Sequence, residues 1–170
     1  MIIDTGILHL REMTHDDFEA LYAILSDPIA MQYYPKPHTP EMTRDWIENN
    51  IKRYHQHGFG LWAIVHTEEK RVIGDCGLTY QHVDGIDELE IGYHILRTEW
   101  GKGYASQCAI ACRDYVFDKL KRERVISWMN PKNMASRRVA EKVGMSLEKE
   151  TISSKGLPAV VYSMSLADRL

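Results

Sequence analysis

The order of apolar and polar positions along the chain predicts seven strands and four helices. Ile7–Met13 (ILHLREM) alternates as a half-buried strand does and stops before Thr14-His15-Asp16-Asp17, a helix-capping sequence. Phe18, Leu21, Tyr22 and Leu25 then recur at helical spacing until Asp27-Pro28 ends the run. Thr39-Pro40-Glu41 opens a second helix with proline in its first turn, Trp46, Ile47, Ile51 and Tyr54 form its stripe, and Gly58 closes it. Phe59–His66 and Arg71–Gln81 read as consecutive strands joined by the polar Thr67–Lys70 turn. A longer turn, His82–Asp87, leads to a fourth strand, Glu88–Leu96. Ala109, Cys112, Val116 and Leu120 mark a long amphipathic helix over Ser106–Leu120. Strand Val125–Met129, helix Asn133–Val143 with Gly144 after it, and strands Ser146–Ile152 and Val160–Leu166 complete the pattern.

The resulting order, β-α-α-β-β-β-α-β-α-β-β, puts three strands in succession and interleaves the rest with helices. That is the signature of an α+β domain on a mixed, mostly antiparallel twisted sheet, not of a doubly wound parallel one. With 170 residues and no repeat, low-complexity tract or linker, residues 1–170 read as one domain. No stretch reaches the roughly 20 apolar residues a membrane span needs. The opening, MIIDTGILHLREMTHDD, meets charged residues too early for a signal peptide, so the expected location is the cytoplasm. A net charge of −3 argues against general nucleic-acid binding. Cys76, Cys108 and Cys112 form no CxxC pair, so buried thiols are expected and no metal site.

The segment EWGKGYASQ (Glu99–Gln107) carries the first chemical signal. It is not a Walker A loop, because Gly101-Lys102 is followed by Gly103 and no glycine stands five before Gly101. It is not the dinucleotide fingerprint either: position 106 is serine, and the acidic residue expected about 20 positions on, after another strand, is missing. What remains is strand, GxGxA, helix. Glycines let successive N–H groups turn inward, and a helix N-terminus adds unpaired donors and a favourable dipole, which together form a pyrophosphate cradle. Glycines kept for packing alone are the competing explanation.

At this point the chain resembles the GCN5-related N-acetyltransferase (GNAT) superfamily, whose acyl-CoA signature is [RQ]-x-x-G-x-[GA] after the fourth strand. Trp100-Gly101-Lys102-Gly103-Tyr104-Ala105 stands in that place and departs from the pattern at Trp100. WGKGYA is similar to the ribosomal-protein N-acetyltransferase branch (RimJ/RimL type). That branch also has an opening like LHLREMTHDDFEALYAIL and an N-x-x-S helix running into E-K-x-G-[FM], here Asn133 to Ser136 and Glu141 to Met145. The resemblance spans essentially the whole chain. It implies the acyl-CoA N-acyltransferase fold and direct transfer of acetyl from acetyl-CoA to an amine in a ternary complex, without metal.

The resemblance also implies roles. Backbone amides of Gly101, Lys102, Gly103, Tyr104, Ala105 and Ser106 would hold the pyrophosphate, with Arg97 beside it. Backbone groups of Tyr93 and Ile95 would pair with the pantetheine arm where the fourth and fifth strands splay, and an N–H near Gly92-Tyr93 would polarise the thioester carbonyl. Alternation places Glu88, Glu90 and Gly92 on one face of the fourth strand, opposite Leu89 and Ile91. Glu90 is the expected base, Glu88 the second choice. The tyrosine that many superfamily members carry seven residues after the helix asparagine is Ala140 here, so Ser136 is the candidate for reaching the sulfur. Asn133 is expected to cap its helix and to meet the pantetheine amides.

Tyr33, Tyr34 and Trp62 are the expected walls of the acceptor pocket, and the acid around Glu88 suits a cationic amine. A protein or peptide N-terminus leads among acceptors; polyamines, free amino acids and amine-bearing antibiotics stay open, since one fold serves them all. A CoA-binding sensor without turnover is the alternative function. The late strands suggest pairing across a two-fold axis as a homodimer.

Overall fold

Eight strands form one mixed sheet with four α-helices, in a computed structural model that describes residues 1–169. In chain order they are β1 (Ile3–Asp4), β2 (Leu8–Arg11), α1 (Phe18–Leu25), α2 (Pro40–His57), β3 (Leu61–His66), β4 (Arg71–Val83) and β5 (Ile86–Ile95). There follow α3 (Tyr104–Asp118), β6 (Arg124–Met129), α4 (Met134–Val143), β7 (Ser146–Ile152) and β8 (Pro158–Ser165). The spatial order is β1-β2-β3-β4-β5-β6-β8-β7, and every neighbouring pair is antiparallel except β5 and β6.

The eighth strand is the two-residue β1, too short to leave a pattern; it pairs Ile3 with Leu10 and Asp4 with His9. A second difference lies between β4 and β5. In place of a His82–Asp87 turn, the strands pair as far as Val83 and Ile86, joined by Asp84-Gly85 alone. Both turn residues have left-handed φ, 50° and 83°, the conformation that Asp-Gly favours in two-residue hairpins. α3 begins two residues before the expected start.

α2 is fastened to β3 by buried polar contacts. Asn50 Oδ1 accepts the Leu61 N–H at 2.9 Å, and the Tyr54 hydroxyl donates to the Leu61 carbonyl while accepting the Met13 N–H. The main core lies between the sheet and α3, from Leu8 and Leu10 through Ile73, Leu78 and Ile91 to Cys108, Cys112 and Val116. All three cysteines are buried there. A smaller cluster under α1 and α2 joins Leu21, Leu25, Ile47 and Leu61. No helix among the described residues is long and apolar enough to cross a membrane.

Candidate active site

β5 and β6 share a single paired position, Glu90 opposite Ile126. Just beyond it the Ser127 hydroxyl donates to the Ile91 carbonyl at 2.8 Å, so a side chain stands where a main-chain ladder would continue. A cavity of about 520 Å³ lies on this side of the sheet. Its walls are the end of β5, the turn into α3, the start of α4 and the Ile29–Tyr34 segment. A hollow of about 70 Å³ sits in the gap itself, between Glu90–Tyr93 and Ser127–Asn130. Tyr33, Tyr34, Tyr93, Asn133 and Ser136 line both.

The turn into α3 owes its shape to two glycines. Gly101 and Gly103 have φ of 80° and 79°, where L side chains are strained, yet an added Cβ would touch nothing within 4 Å. Conformation, not packing, calls for glycine at both. No side chain caps α3, so the first-turn amides of Tyr104, Ala105 and Ser106, residues that line the cavity, have no capping partner. At the opposite wall α4 is capped: Asn133 Oδ1 accepts the Ser136 N–H at 3.1 Å.

Most sequence-derived candidates gather here. Tyr33, Tyr34, Tyr93, Ile95, Gly101, Gly103, Tyr104, Ala105, Ser106, Asn133 and Ser136 line the larger cavity, and Glu90 lines the smaller. Five placements differ from expectation. Trp62, expected as an acceptor wall, is 0% exposed, packs edge-on against Tyr115 of α3 and reaches neither cavity. Glu88 lines neither cavity and is held in an ion pair with Arg124 of β6 at 2.9 Å. The Arg97 side chain pairs with Asp27 at 2.9 Å, outside both cavities. Lys102 is drawn back to Glu99 at 2.8 Å; Glu99, only 4% exposed, also binds Arg71 at 2.7 Å. The Ile95 carbonyl is occupied, accepting from the Trp100 indole at 2.8 Å, which gives the unexpected Trp100 a structural role.

Ala140, which stands where many superfamily members carry tyrosine, is buried. A phenol arrives from the other side instead. The Tyr93 hydroxyl stands 2.9 Å from both Ser136 Oγ and the Ser136 carbonyl. Burial holds the Tyr93 phenol well above its ordinary range, against the Ser136 hydrogen bond that lowers it, so it keeps its proton at neutral pH. Burial likewise pushes Glu90 up to about 7, against hydrogen bonds from Gln81 and Thr79 that favour the carboxylate. A carboxyl of that strength can give and take protons near neutrality.

Sequence reasoning missed three features. Asp75, at 0% exposure, binds His94 Nδ1 at 2.7 Å and the Trp46 indole at 2.9 Å, while His94 lines the larger cavity. The Tyr93 side chain was assigned only through its backbone. Lys132, Arg138 and Lys142 bring three cations to the cavity rim, none with an ion-pair partner among the described residues; the i,i+4 spacing of Arg138 and Lys142 was the available clue. No group of three His, Cys, Asp or Glu side chains among the described residues is arranged to hold a metal ion.

Residues 8–146 match a family model described as an acetyltransferase (GNAT) domain. The uncharacterized Bacillus subtilis protein YkkB is 35% identical over 159 residues, covering 93% of this chain and 92% of its own. The uncharacterized N-acetyltransferase YnaD of the same organism is 30% identical over 148 residues, 87% of this chain and 84% of its own. A GNAT-family acetyltransferase from Bacillus anthracis superposes with a TM-score of 0.82 at 27% identity, over 100% of both chains. RimL, a ribosomal L7/L12 α-N-protein acetyltransferase solved with coenzyme A, superposes with a TM-score of 0.77 at 21% identity, over 98% of each chain.

Proposed function

Since the chain belongs to the GNAT acetyltransferase family and is an acyl-CoA-dependent acetyltransferase, we propose that it transfers acetyl from acetyl-CoA to a primary amine by direct attack, as a member of the RimJ/RimL-like branch. The WGKGYA turn and the Asn133–Ser136 helix start support that branch. The leading acceptor is the α-amino group of a protein or peptide. Structures of this fold include both RimL and a spermidine N-acetyltransferase, so the fold alone does not choose between peptide and polyamine.

One observation carries the reading: the uncapped start of α3 borders one hollow, the broken β5–β6 ladder borders another, and the two have common walls, the Tyr93–Ser136 hydroxyl pair among them. Acetyl-CoA fits these features as an anion at one end and a thioester at the other. When bound it supplies an acyl carbonyl and a thiolate leaving group. The amides of Gly101–Ser106 hold the diphosphate, and Lys132, Arg138 and Lys142 meet its remaining negative charge. Main-chain groups of β5 near Tyr93 hold the amide arm in the gap, and an N–H near Gly92-Tyr93 stabilises charge on the carbonyl oxygen. Glu90 accepts a proton from the attacking nitrogen, directly or through water, and the Tyr93–Ser136 pair returns a proton to sulfur.

Mass spectrometry of peptides with free N-termini and of polyamines, incubated with the protein and acetyl-CoA, tests this. A gain of one acetyl group on an amine is expected. Tight CoA binding with no acetylated product from any amine would favour a CoA-binding sensor.

A further inference from the structure

The acetyl-transfer reading gives Glu90 one proton to accept, but an ammonium that becomes an amide loses two. The second acceptor is found on the same strand. Alternation places His94 on the Glu90 face of β5, with Gly92, which has no side chain, between them. We propose that His94, oriented by Asp75, takes the first proton of the acceptor ammonium. This rests on the acetyl-transfer reading and adds a catalytic residue to it.

The geometry is that of a positioned imidazole. Both Asp75 carboxylate oxygens are committed, Oδ1 to His94 Nδ1 at 2.7 Å and Oδ2 to the Trp46 indole N–H at 2.9 Å. Trp46 also meets the His94 ring edge-on at 5.6 Å, and Tyr34 lies against it at 5.3 Å. The ring is therefore fixed in position. With Nδ1–H donated to the carboxylate, Nε2 of the neutral ring carries the lone pair. His94 Nε2 is buried and has no hydrogen-bond partner, and the His94 side chain, 11% exposed, lines the larger cavity. A buried ring nitrogen left unpaired has a cost, and an acceptor ammonium meeting it there removes that cost.

The charged and titratable groups that face His94 come from each neighbouring element: Asp75 from β4, Glu90 from β5, and Tyr34 and His38 from the connection between α1 and α2. Burial lowers the His94 basicity, but the charge and hydrogen bond of Asp75, with the charge of Glu90, outweigh it and leave the ring more basic than ordinary histidine. Burial, and next the charge on His94, lower His38.

The protons then balance. The ammonium gives one proton to His94 Nε2. The freed lone pair forms the C–N bond at the thioester carbonyl, and the second proton passes from nitrogen to Glu90. The C–S bond breaks with its electron pair on sulfur, which is protonated through the Tyr93–Ser136 hydroxyls. Glu90's proton makes up the one those hydroxyls gave, and His94 releases one proton to solvent. The products are one amide, one thiol and one proton.

Two measurements test this. Nitrogen NMR of the ring-labelled wild-type chain should show His94 protonated at Nδ1 above its titration, with a midpoint above that of ordinary histidine that falls in Asp75→Asn. Protonation at Nε2 in the neutral ring would overturn the proposal without any variant having to fold. In turnover, with a peptide whose α-amino group the wild-type chain acetylates, His94→Gln should lower kcat about tenfold or more near pH 6.5. The deficit should shrink about fivefold near pH 9, where an α-amino group is already neutral. A deficit equal at both pH values, or none, would remove His94 from proton transfer while leaving acetyl transfer intact. No acetylation by the wild-type chain would instead reject the acetyl-transfer reading, and this inference with it.

Discussion

The Tyr93 hydroxyl lies 2.9 Å from Ser136 Oγ, joining the end of β5 to the first turn of α4 across the cavity. The phenol also stands 2.9 Å from the Ser136 carbonyl, so it can donate there while accepting from Oγ. Tyr93→Phe and Ser136→Ala should each lower kcat by about 10- to 100-fold with little loss of CoA affinity. The double variant should fall far short of the product of the two effects, because the groups act as one unit. Multiplicative losses in steady-state assays would show that they act separately.

Gly103 precedes α3 at φ 79°. Gly103→Val should weaken CoA binding about tenfold or more by calorimetry, since a left-handed L residue costs about 1–2 kcal/mol and a β-branched one more. An added Cβ there meets nothing within 4 Å, so the fold should survive. Unchanged affinity would contradict the amide cradle.

Burial raises Glu90 from the ordinary 4.5 to about 7. The folded chain therefore holds this proton where the unfolded chain has lost it, and stability falls as pH rises through that window. Glu90→Gln should remove the fall, gaining on the order of 1–3 kcal/mol over the wild-type chain at pH 8 relative to pH 4. Denaturant titrations at the two pH values measure it; parallel behaviour of variant and wild type would mean that Glu90 ionises in folded and unfolded chains alike.

Arg138 and Lys142 line the larger cavity one helical turn apart. Replacing both with glutamate should weaken CoA binding at low salt, with the deficit narrowing as salt screens the charges. Thermal unfolding of the free chain should change little. A deficit insensitive to salt would point to lost shape and not to lost charge.

What the sequence made legible was local. The WGKGYA turn, the Asn133 cap and the Asp84-Gly85 hairpin each depend on dihedrals and contacts within a few residues. Asp84-Gly85 marks the hairpin, while the polar residues on either side of it hide how far the two strands continue. Pairings set by tertiary packing were not legible: Trp46 meets Asp75 across 29 residues, and Tyr93 meets Ser136 across 43. Trp62 shows a different limit. In LWAIV every position is apolar and buried, so alternation cannot say which face looks toward a ligand. Glu88 and Glu90 look equivalent in the chain, and only the placement of Arg124 separates them.

The junction between β5 and β6, one paired position wide, divides the sheet into leaves of five strands and three. A molecule laid along that seam serves as mortar as well as reactant. If the proposed acetyl-CoA lies there, each turnover changes how firmly the two leaves are joined, and product release and the stiffness of the protein then rest on the same few main-chain atoms of β5.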